Sequence, residues 1–194
     1  MPRPIEFDRD QALREAMTEF WRRGYRGTSV KDLVAATSLQ PGSLYGAFES
    51  KRALFREALE AYFSATLERV RGTLHGPAPP LARIRRFFET LVEDAARDRD
   101  MKGCLLVNTL LEVPPEDEQI RRRVAEMFAQ IEERLRGVLD QARTRGELAE
   151  DKDPAALARL LVTGIYGLRV YNRTRPGEAA LKEIVDSLLR AVEA

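Results

Sequence analysis

At 194 residues the chain can bury a full core and hold one large or two small domains. Its net charge of +1 does not by itself announce a nucleic-acid partner, and its single cysteine, Cys104, excludes an internal disulfide framework and suits a reducing compartment. No apolar segment approaches the ~20 residues needed to span a bilayer, and residues 1–4 carry no signal-peptide core, so a cytoplasmic chain without a membrane partner is expected.

Abundant Ala, Leu, Glu and Arg, few glycines and no alternating apolar run predict an all-α fold of about nine helices. Asp8 followed by Gln11 reads as a capping-box start for the first helix. Leu13, Met17, Phe20 and Trp21 form its apolar stripe, and it ends before Gly24. Val30, Leu33 and Val34 stripe a second short helix, while Leu44 and Phe48 stripe a third opened by Pro41. Between them Thr37, Ser38 and Leu39 leave a turn of about three to four residues, the length a helix-turn-helix uses. The exposed side of the third helix is then Gln40, Pro41, Ser43, Gly46 and Ala47, small groups and one amide that let a backbone sink into a DNA major groove.

Ser50 caps a long fourth helix through about Arg71, with Leu54, Phe55, Ala58, Leu59, Tyr62 and Phe63 on its buried side. The Gly/Pro-rich stretch over residues 72–80 is the clearest break. Further helices are expected from about Leu81 to Arg99, from Lys102 to Glu112 ahead of Val113-Pro114-Pro115, and from Ile120 to Arg145 before Gly146. Pro154 opens the next, and Pro176-Gly177 separates it from the last.

From Gly24 to Lys51 the pattern resembles the DNA-binding domain of TetR-family transcriptional regulators. Gly24 and Thr28 match its helix start, Gly42-Ser43-Leu44-Tyr45 its recognition helix, and Phe48 and Ser50-Lys51 its closing elements. The match covers roughly residues 8 to 60; one departure is Ser38, where the family often has a turn glycine. The resemblance implies a helix-turn-helix domain over residues 1–52 and a larger helical ligand-binding and dimerisation domain over residues 53–194. It also implies a repressor that binds a palindromic double-stranded operator as a homodimer and is released by a small-molecule inducer, and Cys104 adds an electrophile as a candidate inducer. No cofactor is implied.

Residues 1–52 hold nine Lys or Arg against seven Asp or Glu, a weak basic excess of +2, so DNA affinity must come from placed groups. Thr28 is expected to cap the second helix with its hydroxyl and N–H turned outward. Lys51, beside Arg52 at a helix N-terminus, suits a phosphate, or is a solvated cation beside Glu49. Tyr45 offers a phenol to a phosphate, or is a half-buried aromatic. Gln40 and Ser43 are candidate base readers, Pro41 and Ala47 candidate thymine-methyl contacts, and Gly42 is carried over with its motif.

One helix reads few base pairs, so a second copy is needed. Leu157, Leu161, Gly164, Ile165 and Leu168 form one apolar stripe and Leu181, Ile184 and Leu188 another, which fit a four-helix dimer interface or, alternatively, the monomer core. For the effector pocket the family's middle helices point to Phe88, Leu91, Phe128, Ile131, Tyr166 and Arg169. Cys104 and Asn108, at i and i+4, add two distinctive groups on one helical face. Arg169 suits an anionic ligand or a salt bridge; Cys104 is a reactive sensor or an inert core thiol. An enzyme lacks support, since no nucleophile, metal or phosphate motif appears, and a helical protein-interaction module without sequence-specific DNA binding leaves the Thr28 to Lys51 pattern unexplained.

Overall fold

The computed structural model describes residues 8–98, 100–114 and 116–193. The expectations that touch residues 1–4, Arg99 and Pro115 lie outside these. Among the described residues there is no strand, and the helices run α1 (Arg9–Gly27), α2 (Val30–Thr37), α3 (Pro41–Phe48), α4 (Lys51–Leu74), α5 (Pro80–Arg97), α6 (Leu105–Glu112), α7 (Glu118–Thr144), α8 (Pro154–Tyr171) and α9 (Glu178–Glu193). A 3₁₀ turn over Asn172–Thr174 follows α8. No described helix is long and apolar enough to cross a membrane.

Local chemistry explains most boundaries. The Asp8 carboxylate accepts from the N–H groups of Asp10 and Gln11 at 2.9 and 3.0 Å, and Ser50 Oγ accepts from Ala53 N at 3.0 Å. The Gln11 side chain turns to Glu15 instead of completing a capping box. For α2 the expected cap is corrected by one residue. Ser29, not Thr28, holds the N-cap, in a reciprocal box with Asp32: Asp32 N donates to Ser29 Oγ at 3.2 Å, and Ser29 N donates to Asp32 Oδ2 at 2.8 Å. The Ser29 hydrogen bonds hold the Asp32 carboxyl below its ordinary range. Thr28 is fully buried, and its hydroxyl donates back to the Gly24 carbonyl at 2.7 Å. The sixth helix begins at Leu105, three residues later than expected. Met101 at φ 50° and Gly103 at φ 67° both take left-handed backbone, which cannot continue into a helix.

Phe20, Leu33, Leu44, Phe48 and Phe55 are buried together where α1 to α4 meet, with Phe20 edge-on to Phe55 at 5.0 Å. These contacts fix the angle at which α3 leaves the surface. At 24 residues, about 36 Å, α4 runs from this cluster deep into the second half, where it packs on α5 and α7. There α8 lies along α7 and buries Leu157, Leu161, Ile165 and Leu168, while α9 buries Leu181. Five side chains expected to face a second copy are therefore core residues of the single chain, because the 3.6-residue stripe marks an apolar face without saying what covers it. Gly164 sits against the Leu188 side chain, where a Cβ would collide, and Ile184 is 38% exposed.

The turn between α2 and α3 places Ser38 at φ 55°, ψ 16°, the left-handed region that a glycine occupies without strain. Relief of that strain, about 1 kcal/mol, outweighs the extra chain entropy of glycine, about 0.5 kcal/mol. Ser38→Gly is therefore expected to raise stability by about 0.5 kcal/mol, whereas the β-branched Ser38→Val lowers it by 1 kcal/mol or more; urea unfolding of both variants checks the order.

Candidate nucleic-acid interface and effector cavity

The recognition face is built by subtraction. Leu44 and Phe48 turn inward from α3, which leaves Gln40, Pro41, Gly42, Ser43 and Gly46 exposed and Tyr45 and Ala47 half-buried. Pro41 occupies the first helical position, and Gln40 at the N-cap makes no capping bond with its side chain, so its amide stays available. A Cβ added at Gly42 or Gly46 would meet nothing within 4 Å. No acidic residue lies in the first turn of α3, so a phosphate or base edge meets no like charge on approach. Burial pushes the Tyr45 phenol up from its ordinary value, so it presents a neutral hydroxyl.

The cations beside this face divide. Arg52 is not available to DNA in this arrangement: its guanidinium forms a fork with Asp117 at the start of α7, at 2.6 and 2.7 Å. Lys51 is half-buried with its Nζ 4.4 Å from the Tyr25 ring centroid. Burial lowers its pKa, and the Glu112 and Asp32 carboxylates pull it back up. Thr28, with its hydroxyl buried and bonded, is a brace of the α1–α2 junction.

Several bonds bind this module to the second half. At Gly24 the α1 backbone leaves helical geometry, with φ 76° and ψ 170°, and frees the N–H groups that follow. The Glu112 carboxylate at the end of α6 takes both, accepting from Tyr25 N at 2.9 Å and from Arg26 N. At the other end of α6, Trp21 Nε1 donates to the Gly103 carbonyl at 3.2 Å, with the Lys102 ammonium over the indole at 5.0 Å. The sequence marks Gly24 as a helix end and as part of the family's helix-start element, and it gives Glu112 no role beyond ending a helix.

A cavity of about 310 Å³ opens among α4, α5, α6, α7 and α8. Leu91, Cys104, Phe128, Ile131 and Arg169 line it, as expected from sequence. Three expected residues do not. Phe88 is fully buried and turned into the core, and its neighbour Phe87, edge-on to it at 5.4 Å, faces the space instead. Tyr166 stands behind the wall, packed edge-on to Phe128 at 4.4 Å. Asn108 is separated from Cys104 because Cys104 is the extended N-cap of α6 rather than a helical residue. The Asn108 amide donates to the Lys102 carbonyl at 2.7 Å and accepts from Arg173 at 3.2 Å, on the α1 side. Tyr62, Thr66 and Ile165, lining residues that sequence reasoning missed as such, come from the inner faces of α4 and α8, where apolar periodicity alone reads as core. Burial, then the adjacent Cys104 thiol, drive the Tyr62 phenol upward, and burial raises that of Tyr166 to about 12. Among the described residues no group of His, Cys, Asp or Glu is arranged to hold a metal ion.

Residues 12–58 match the family described as bacterial regulatory proteins, tetR family, and residues 80–188 match the tetracyclin repressor-like C-terminal domain. The HTH-type transcriptional repressor ComR of Escherichia coli K12 is 30% identical, over 97% of this chain and 90% of its own length. A cysteine-substituted form of the TetR family regulator CifR, solved on 26-base-pair double-strand operator DNA, superposes with a TM-score of 0.86 at 35% identity, covering 98% of this chain and 100% of that one. A TetR transcriptional regulator from Chloroflexus aurantiacus superposes at 0.85 with 27% identity, covering 94% of this chain and 92% of its own.

The Gly24 kink is open to direct test. Its backbone lies in a region reserved for glycine, and an added Cβ would collide with the Glu112 carboxylate. Gly24→Ala is expected to lose about 2–4 kcal/mol, the sum of backbone strain and two lost acceptors, read by urea unfolding.

Proposed function

The chain belongs to the tetR family of bacterial regulatory proteins, and from that premise we propose how its two halves divide the work. Residues 1–52 read operator DNA; residues 53–194 bind a small-molecule effector and a second copy of the chain. The protein is a ligand-responsive repressor that binds a palindromic operator as a homodimer in the cytoplasm and leaves it when an inducer occupies the cavity.

On the DNA, Gln40 and Ser43 read base edges, Pro41 and Ala47 meet thymine methyls, and Gly42 lets the α3 backbone approach closely. Tyr45 and Lys51 hold phosphates beside the groove, with Lys51 adding its charge to the N–H groups at the start of α4. Thr28 contributes by fixing the α1–α2 junction. The two copies meet through α8 and α9. Gly164, Ile184 and Leu188 form the contact, and the buried Leu157, Leu161, Ile165, Leu168 and Leu181 stiffen it from beneath. A two-fold dimer then demands half-sites about 34–36 Å apart, or a multiple of that.

One observation carries the coupling: the same short helix, α6, walls the cavity with Leu106 and its N-cap Cys104, and grips the DNA-binding module with its last residue, Glu112. Left-handed residues precede it and Val113-Pro114 follow it, so α6 can move as one body. An inducer that displaces α6 pulls on the Tyr25 and Arg26 backbone and re-aims α3. A reactive inducer would find the Cys104 thiol on the cavity wall. For such a compound Cys104→Ser would abolish release; unchanged release would make the thiol a wall residue only.

Selection from randomised duplex DNA is expected to recover a palindrome. Binding without enrichment would sink the operator reading. On the recovered site Gln40→Ala costs about 1–3 kcal/mol and relaxes one position, while Lys51→Ala weakens all sequences evenly and lowers the salt slope by about 1. Glu112→Ala is expected to lower operator affinity about tenfold, a coupling of about 1.4 kcal/mol, with dimer mass and circular dichroism retained.

A further inference from the structure

The polar groups of the cavity are not distributed as a purely apolar ligand would require. Phe87, Leu91, Phe128, Ile131 and Ile165 make most of its wall apolar, yet the Arg169 guanidinium stands in that wall with its side chain only 15% exposed. Its one ion pair among the described residues is with Asp94, at 4.0 Å, and Asp94 lies closer to Arg69, at 3.4 Å. A guanidinium has five N–H donors in a fixed fork, and here a single long contact answers them. In the same lining, Thr66 Oγ1 on α4 is buried and has no hydrogen-bond partner among the described residues. A buried hydroxyl in that state is an unmet demand for an acceptor or donor.

We propose that the cavity takes a small, largely apolar molecule with one anionic headgroup of carboxylate type, seated between Arg169 and Thr66. This rests on the reading of the cavity as the effector site and adds the chemistry of what fills it. A carboxylate matches the planar fork of Arg169 with two parallel bonds and offers an oxygen to the Thr66 hydroxyl, while Asp94 stays with Arg69. A cation would face Arg69, Arg97 and Arg169 around one opening, with Asp94 and Glu93 shared among them and Arg86. A neutral apolar molecule would leave Arg169 with its one long contact in a drier site. A volume of about 310 Å³ equals roughly ten water-sized groups, which suits a phenyl ring or a short branched chain behind the headgroup.

The test compares acids with neutral isosteres on the full-length dimer: phenylacetate against phenylacetamide, and hexanoate against hexanamide, by calorimetry and by the shift in melting temperature. At least one acid is expected to bind tenfold or more tighter than its amide, with the preference lost in Arg169→Gln. Thr66→Val, whose shape is conserved, should weaken the acid severalfold and provides the second readout if Arg169→Gln does not fold. Amides that bind as well as acids, an acid preference that survives Arg169→Gln, or no acid binding at millimolar concentration would each overturn the proposal. Acids that bind with the expected Arg169 dependence but leave operator affinity unchanged would support the ligand class and refute the effector-site reading instead.

Discussion

A helix that breaks near its end leaves N–H groups that something must accept, and the rest of this molecule is organised around which residue does so. At Gly24 the break in α1 frees the Tyr25 and Arg26 amides, and their acceptor is the carboxylate of Glu112, 86 or more residues away in the chain. The last turn of α1 therefore takes its direction from α6. That turn carries Tyr25 against Phe55 at 4.8 Å and leads through the buried Thr28 into α2, which in turn sets α3. α3 is thus oriented through α6 of the second half as well as by its own hydrophobic cluster.

The charges support the same division. With a net charge of +1 the chain has little long-range attraction for DNA, and Arg52, at the start of α4, is committed to Asp117 of α7. That fork ties the start of α4 to the sensing half, parallel to the Glu112 contact. Since the Arg52 side chain is 44% exposed and that of Asp117 only 14%, the pair contributes geometry more than stability. Lys51, one residue earlier, is kept beside Tyr25 and under the influence of Glu112, at the junction that holds the module. The proposed phosphate contact and the inter-half contact share one electrostatic neighbourhood.

Local rules were enough to read the helix-turn-helix. Pro41, Ser50 and the Leu44/Phe48 spacing act within a turn or two of themselves, and each stands where the pattern puts it. The exchange of Thr28 for Ser29 as the cap follows from the burial of Thr28, which no neighbour in sequence announces. Long-range facts were illegible for the same reason. An apolar stripe on α8 looks alike whether α7 or a second chain covers it, and Leu157, Leu161 and Ile165 turned out to be covered by the chain itself. The Cys104 and Asn108 pair failed because the positive φ of Met101 and Gly103 shortened the helix that was to align them. Arg169, by contrast, was named from the family's middle helices, and it does line the cavity.

These features bound how the switch can work. A ligand shifts the dimer only by the difference between its affinities for the DNA-competent and incompetent forms, and a tenfold change in operator affinity needs about 1.4 kcal/mol of it. The two bonds that the Glu112 carboxylate accepts at the α1 kink, at about 1.5–3 kcal/mol each for a charged acceptor, are together larger than that. Because each copy in the dimer carries one α3, the proposed switch at Gly24 would act on the spacing of the two copies of α3 from both sides. The left-handed glycine, where no side chain resists a change of φ and ψ, is the place in α1 where such a rotation costs least.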